Sequence, residues 1–287
     1  MLTGPTWLGK ASPSHLRALI VAFLAAANVF VLGYSAYTLQ QSREHHEQQA
    51  RVFTQNLSQA VDYSLSNSIE KIDLALKTIG DELQHEIAEG GIDARKLNAM
   101  LEKFQERLPE VEGIRVSDAA GTVILGKGVD PKEKASWADR EYFPLLRDNL
   151  NAGLQVSPPR TGKVSKKFIV GFHRRYNRPD GSFGGIVAAP VSLEHFNTLL
   201  SQFEIRGRSF LALRDANLGL IVRHPAADGP AGTVGNVMVS EQLRELIRSG
   251  VQSATYGAMR TFDQEWAVTF RRVKAAPIIV LVGMAKE

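Results

Sequence analysis

The 287-residue chain contains no cysteine. That excludes a disulfide framework, a thiol nucleophile and any cysteine-ligated metal. It fits an oxidising compartment without disulfides as well as a reducing one. Acidic residues are missing from the first 39 positions; all 30 lie further on. Catalytic signatures are missing too: there is no GxSxG elbow, HExxH pair, P-loop or Rossmann glycine pattern. GluHisHisGlu at 44–47 lacks the spacing of a zinc-binding helix, and GlyLysGly at 126–128 reads as a turn. No enzymatic activity, no cofactor and no metal are therefore expected of these residues. Low-complexity tracts and proline-rich linkers are absent, and 44% hydrophobic with 22% charged residues describes a folded globular chain.

Long apolar runs are scarce, and the one present is informative. Residues 18–39 run without a charged side chain, about 33 Å of helix at ~1.5 Å per residue and enough to cross a bilayer. Lys10 and Arg17 precede it with no acid, a bias that places residues 1–17 in the cytoplasm. Residues 18–39 then form one transmembrane helix in the inner (cytoplasmic) membrane, and the bulk of the chain is extracytoplasmic. A cleaved signal peptide with a core at 18–24 and AlaAlaAla at 25–27 is the alternative. The apolar run continues through Val29, Phe30, Val31 and Leu32, beyond what a signal peptide needs. Beyond the span, 32 of the 34 Lys and Arg face 30 acids, so that part is near +2. A sequence pI of 9.3 reflects only this small excess, and nucleic-acid binding is not expected.

After a polar stretch rich in helix formers, apolar residues recur at Leu57, Val61, Leu65, Ile69, Ile72, Leu76, Ile79, Leu83 and Ile87. Steps of three and four mark one face of a helix, and Gly90–Gly91 stop it. The spacing predicts a long membrane-normal helix over 40–91. Its stripe is expected to pack on its own domain, with weak self-association nearer the membrane pointing to a homodimer. A second helix reads over 93–108 with Leu97, Met100, Leu101 and Phe104 inward.

The period then changes to strand. Residues 114–125 read as strand, tight turn at Asp118–Gly121, strand. Residues 126–152 read as loop. Strand-like runs follow at 154–157, 167–175 and 183–191, the last two joined by the turn signal Pro179-Asp180-Gly181, then a helix at 192–203. The pattern restarts at 210–222, which resembles 114–125 with one residue inserted in the turn. A helix at 240–249 and strands at 251–260, 265–273 and 277–284 complete it. The expected fold is α+β: a long N-terminal helix, then two tandem units at 92–203 and 204–287, each a five-stranded antiparallel sheet with flanking helices.

This order, with AspArgGluTyrPhe at 139–143, SerProProArgThrGly at 157–162, PheIleValGlyPheHisArgArg at 168–175, AspGlySerPheGlyGlyIleVal at 180–187 and ArgHisPro at 223–225, resembles the double Cache (PDC-type, PAS-like) extracytoplasmic sensor domains, notably those of membrane-bound diguanylate cyclases. The resemblance implies a ligand-sensing region. Its output domain would be a cyclase first, a histidine kinase or chemotaxis transducer second, and GGDEF itself is absent here. The chain reads as the N-terminal portion of a longer receptor or as an anchored remnant. A ligand-free protein-interaction module is the alternative.

In such domains the membrane-distal unit resembles a pocket roofed by the loop before the third strand, here 136–147. That loop concentrates Trp137, Asp139, Arg140, Tyr142, Phe143 and Arg147, aromatic walls with placed charges. Tyr142 and Phe143 read equally well as core anchors. From Asn149 to Pro179 there is no acid, while Arg160, Lys163, Lys166, Lys167, Arg174, Arg175 and Arg178 occur. Such a field favours an anion, most simply a carboxylate. Lys167 and His173 join the candidates, although a buried structural role for His173 is the commoner case. Amino-acid-binding members of the wider family hold the amine with an Asp on the strand equivalent to 184–191. GlyGlyIleValAlaAlaProVal has none, which favours an organic acid. The loop of the second unit, 229–239, is short and poor in aromatics and reads as a structural relay.

Overall fold

The computed structural model describes residues 13–130, 132–261 and 264–285. Most of the expected cytoplasmic tail therefore lies outside the described residues. The chain forms two units that meet within one helix, the first ending at Gln49 and the second beginning at Ala50. That helix is α1 (Pro13–Ala88).

In the first unit the apolar side chains of α1 are exposed all round, among them Phe23, Val29, Phe30 and Leu32. A helix apolar on every face suits a lipid environment. Among the described residues it is the one helix long and apolar enough, by length and composition, to cross a membrane.

In the second unit the same helix turns amphipathic. Val61, Leu65, Ile69, Ile72, Leu76, Ile79 and Leu83 are each at most 2% exposed, and Leu57 and Ile87 pack against them. Burial of each such side chain is worth roughly 1.5–3 kcal/mol, so this stripe nucleates the unit's largest core. Gly91 N donates to the Glu86 carbonyl at 3.1 Å and closes the helix, with Gly90 and Gly91 at φ +120° and +140°. Helix α2 (Ala94–Arg107) is capped by Asp93, whose Oδ1 accepts from Arg95 N and Lys96 N.

The distal sheet consists of β1 (Arg115–Ser117), β2 (Val123–Gly126), β3 (Gln155–Val156), β4 (Arg160–Thr161), β5 (Phe168–Asn177) and β6 (Phe183–Ser192). Its order is β2-β1-β6-β5-β3, with β4 also on β5 and every pairing antiparallel. Six strands stand where five were expected. Pro158 and Pro159 lack the N–H that a ladder needs, so the edge breaks after β3 and resumes as β4. The expected loop 126–152 likewise holds a helix, α3 (Tyr142–Asp148), too short to show a period. Helix α4 (Leu193–Ser201) follows, N-capped by Ser192. The proximal sheet has β7 (Ser209–Asp215), β8 (Leu220–His224), β9 (Ser253–Thr261), β10 (Gln264–Arg272) and β11 (Ile278–Ala285) in the order β8-β7-β11-β10-β9, with helix α5 (Glu241–Arg248) between β8 and β9. The expected α+β fold is observed.

The two β-turns match without the expected insertion. Asp118 Oδ1 accepts from Ala120 N and Thr122 N; Asp215 Oδ1 accepts from Asn217 N and Gly219 N. The offsets are identical. The third residue after each Asp takes positive φ, Gly121 at +87° and Leu218 at +69°. The apparent insertion came from aligning the two glycines, when the geometry aligns the two aspartates.

Each sheet turns one face to α1. Val170, Phe172 and Tyr176 of β5 join the α1 core, and the Arg174 guanidinium pairs with Asp73 of α1. In the proximal sheet Leu211, Leu213, Val280 and Val282 join the same cluster, and Thr54 of α1 hydrogen-bonds Thr269 at 2.8 Å, with Thr269 meeting Thr255 at 2.7 Å. The opposite face of the distal sheet carries the second part of the core, Val123, Trp137, Tyr142, Phe143 and Leu146.

Candidate functional site

Alternation along β5 divides its side chains. Phe172 and Arg174 face α1, and Ile169, His173 and Arg175 face outward. The register aligns His173 with Ala188 of β6, and Ala188 with Arg115 of β1. Over this row lies a small cavity of about 40 Å³, walled by Trp137, Tyr142, Ser157, Ile169, His173 and Pro190. Its polar rim is cationic: Arg115, Arg140, Arg160 and Lys163 line it, and no Asp or Glu does. At about 10–15 Å³ per water, the space suits about three or four non-hydrogen atoms.

His173 anchors the floor. Tyr142 stacks on its ring at 3.6 Å and 20°, and Trp137 meets it edge-on at 6.4 Å. The imidazole Nδ1 approaches the Gln155 carbonyl oxygen at 3.3 Å. Gly171 makes room for the ring; a Cβ there would lie 2.4 Å from His173 Cε1. Burial disfavours the imidazolium and pushes the His173 pKa down to about 3, with Arg160 and Arg140 adding to the effect. The ring is thus neutral at physiological pH. Burial also raises the Tyr142 phenol well above its ordinary value.

The cations differ in their commitments. Arg160 forks onto Glu141 with Nη1–Oε2 at 2.8 Å and Nη2–Oε1 at 2.5 Å. Lys163 Nζ donates to Asp139 Oδ1 at 2.6 Å. Arg115 is 5% exposed and donates to the backbone carbonyls of Lys127 and Gly113, and burial lowers its pKa. The Arg140 guanidinium makes no ion pair among the described residues. The hydroxyl of Ser165 lines the same cavity, buried and without a hydrogen-bond partner. An unspent guanidinium and a buried hydroxyl without a partner make a site poised for a small acceptor-rich anion, while the neutral His173, its N–H directed at the Gln155 carbonyl, serves as floor rather than donor.

Of the residues nominated from sequence, Trp137, Arg140, Tyr142 and His173 meet at this cavity. The other four do not line it. Asp139 is spent on Lys163 at the rim. Phe143 is buried beside Phe183, 5.8 Å between ring centroids. Arg147 pairs with Asp148, and Lys167 with Glu112. The seven-cation run is likewise divided, since only Arg160 and Lys163 of it reach the cavity. Arg174 goes to α1, and Arg175 donates to the Leu146 carbonyl. Sequence reasoning missed Arg115, Ser157 and Ser165. The signal that could have found Ser157 and Ser165 is the SerProProArgThrGly segment and its hairpin; for Arg115 it is a charge inside the strand Ile114–Val116.

No protein-family model and no curated protein matches the chain. Solved structures do. The extracellular domain of rpHK1S-Z16, assigned as a histidine kinase, is 22% identical with a TM-score of 0.72, covering 83% of this chain and 95% of that one. The ligand-binding domain of Mlp24 with asparagine is 13% identical at TM-score 0.61, covering 85% and 95%. The sensory domain of the Campylobacter jejuni chemoreceptor Tlp3 with isoleucine bound is 10% identical at TM-score 0.59, covering 85% and 95%. The chain shares the fold of these domains. Within this fold, the cavity sits on the outer face of the distal sheet, across from the face that holds α1.

Proposed function

We propose that the chain is the extracytoplasmic signal-input region of a membrane-anchored receptor, and that its distal cavity takes a short carboxylate about the size of acetate. The observation that carries this reading is the cavity's charge balance: Arg140 without a carboxylate partner and buried Ser165 Oγ, with no acid in the lining. Isoleucine and asparagine, the ligands of the Tlp3 and Mlp24 domains, carry an ammonium as well as a carboxylate. An ammonium here would find cations around it, so a plain organic acid is the better occupant. Binding would draw Arg140 and the α3 segment onto the β5 floor. Because β5 packs its other face on α1, a change in sheet packing reaches that helix directly. Signalling then follows from different affinity for two α1 arrangements in a homodimer. Histidine kinases and chemotaxis transducers are outputs found among the structural neighbours; a diguanylate cyclase rests on the resemblance of the 139–143, 157–162 and 168–175 segments.

The test is a thermal-shift and calorimetric panel of formate, acetate, propionate, lactate and glycine on the full chain in detergent. Acetate or propionate should raise the melting temperature, glycine should not, and Arg140→Ala should weaken binding by about tenfold or more. An unchanged melting temperature across the panel, or equal binding by Arg140→Ala, would overturn the reading. It would favour instead a ligand-free interaction module whose pocket is filled by its own Trp137 and Tyr142.

A further inference from the structure

The larger cavity of the second unit lies in the proximal sheet, where the sequence suggested only a relay. It measures about 410 Å³, within the range of small-molecule sites. Its walls are apolar: Phe210, Leu220, Leu243, Tyr256, Trp266 and Leu281. These aromatics come from β7, β9 and β10 rather than from the loop 229–239, so the loop's composition gave no sign of them.

Strand register puts this cavity on the face equivalent to the distal one. In the distal sheet Arg115 aligns with Ala188, and Ala188 with His173. In the proximal sheet Ala212 aligns with Leu281, and Leu281 with Phe270. The matched Asp118 and Asp215 turns make Arg115 and Ala212 equivalent. Apolar residues thus replace Arg115 and His173 in this row, with the fully buried Phe270 in the place of His173, while Ala212 and Leu281 line the cavity.

Two guanidinium groups enter this apolar space. Arg214 is 7% exposed and donates to the carbonyls of Leu218, Asn236 and Met238. Its Nε is buried without a partner, and so is the Nε of Arg223. The Arg223 guanidinium stacks over Phe210 with Cζ 4.2 Å from the ring centroid and makes no ion pair among the described residues. No acid lines the cavity; Asp215, next in the chain, spends its Oδ1 on its own turn. Burial lowers the pKa of both arginines, for Arg214 against the opposing pull of Asp215. Buried charge of this kind costs free energy unless something pairs with it.

We infer that the proximal cavity is a second ligand site, one that takes a monocarboxylate with an apolar body, an arylalkyl or branched alkyl acid, its carboxylate on Arg223 and Arg214 and its body against Phe210, Tyr256 and Trp266. Arg223 is the recognition residue. Arg214, held by three carbonyls, presents its two remaining N–H groups as the fixed second donor. Acetate would fill too little of this space to bind well, and an arylalkyl acid is too large for the distal cavity, so the two sites discriminate by size.

The experiment uses the full chain in detergent, with 3-phenylpropionate, 4-methylpentanoate and octanoate as acids and 3-phenylpropanol as the uncharged control. Calorimetry should give binding of at least one acid, with the alcohol about tenfold weaker or worse. Arg223→Met, which keeps bulk and removes charge, should weaken the acid by about tenfold or more; Ala231→Trp at the mouth should weaken it with both arginines intact. Arg140→Ala should leave it unchanged. With Trp7 and Trp137 both replaced by Phe, the acid should still change the emission of Trp266, which lines this cavity. Absence of binding by all three acids overturns the inference. So does equal binding by Arg223→Met and wild type, or loss of binding in Arg140→Ala with retention in Arg223→Met, which would assign the acid to the distal cavity. The acetate response, read separately, stands or falls with the distal reading.

Discussion

His173 condenses most of the distal site into one side chain. It is 4% exposed, neutral, and stacked beneath Tyr142. In the unfolded chain it titrates near its ordinary 6.5, while burial holds the folded value near 3. Between those values the unfolded state binds the extra proton, so stability rises with pH through that window and is complete above 6.5. Urea denaturation at a series of pH values should therefore show wild type losing about 1.4 kcal/mol per pH unit more than His173→Gln as the pH falls below 6.5. Parallel pH profiles would mean that the imidazole is solvated and not part of a closed floor. What the sequence offered at this scale was residue type. Trp137, Arg140, Tyr142 and His173 stood out because aromatics and charge cluster on one segment and one strand. Arg115 and Ser165 did not, because a charge within a strand and a serine in a hairpin are weak local signals, and their roles come from register and from the hairpin closing on β5. Leu218 is a similar case: its positive φ is strain that a leucine tolerates because its side chain is buried in the proximal core.

Among the elements, α1 from Ala50 onward organises everything else. Its stripe was plain in sequence because a 3.6-residue period held over nine positions has no competing reading. The hairpins closed at Asp118, Asp180 and Asp215 were legible for a similar reason, each being two strand-like runs about an Asx turn. Helix α3 and strand β4 were not, since seven and two residues are too few to display a period, and each is held by its neighbours rather than by its own pattern. Leu76 of α1, 1% exposed, packs in the shared core, and Leu76→Ala should destabilise the unit by about 2–5 kcal/mol. Chemical denaturation measures this directly. A loss below about 1 kcal/mol would mean that the α1 stripe is loosely packed and cannot couple sheet to helix. On the proximal side, the Thr54–Thr269–Thr255 hydrogen bonds add directional contacts to the apolar cluster that Leu213, Val280 and Val282 share with the α1 stripe.

At the scale of the molecule, an apolar helix segment and a two-sheet sensory fold share one chain. Composition marked the division early, in one long uncharged run ahead of a near-neutral remainder. The fold neighbours are extracellular sensory domains, and the account stands on the folded unit lying outside the cell. The absence of cysteine makes a direct measurement possible. Lys103→Cys on the exposed side of α2 and Ser12→Cys before the apolar run are each the only thiol in their variants. In intact cells with a permeable outer layer, a membrane-impermeant maleimide should label Lys103→Cys and should reach Ser12→Cys only after lysis. Labelling of Ser12→Cys in intact cells with Lys103→Cys protected would contradict the account.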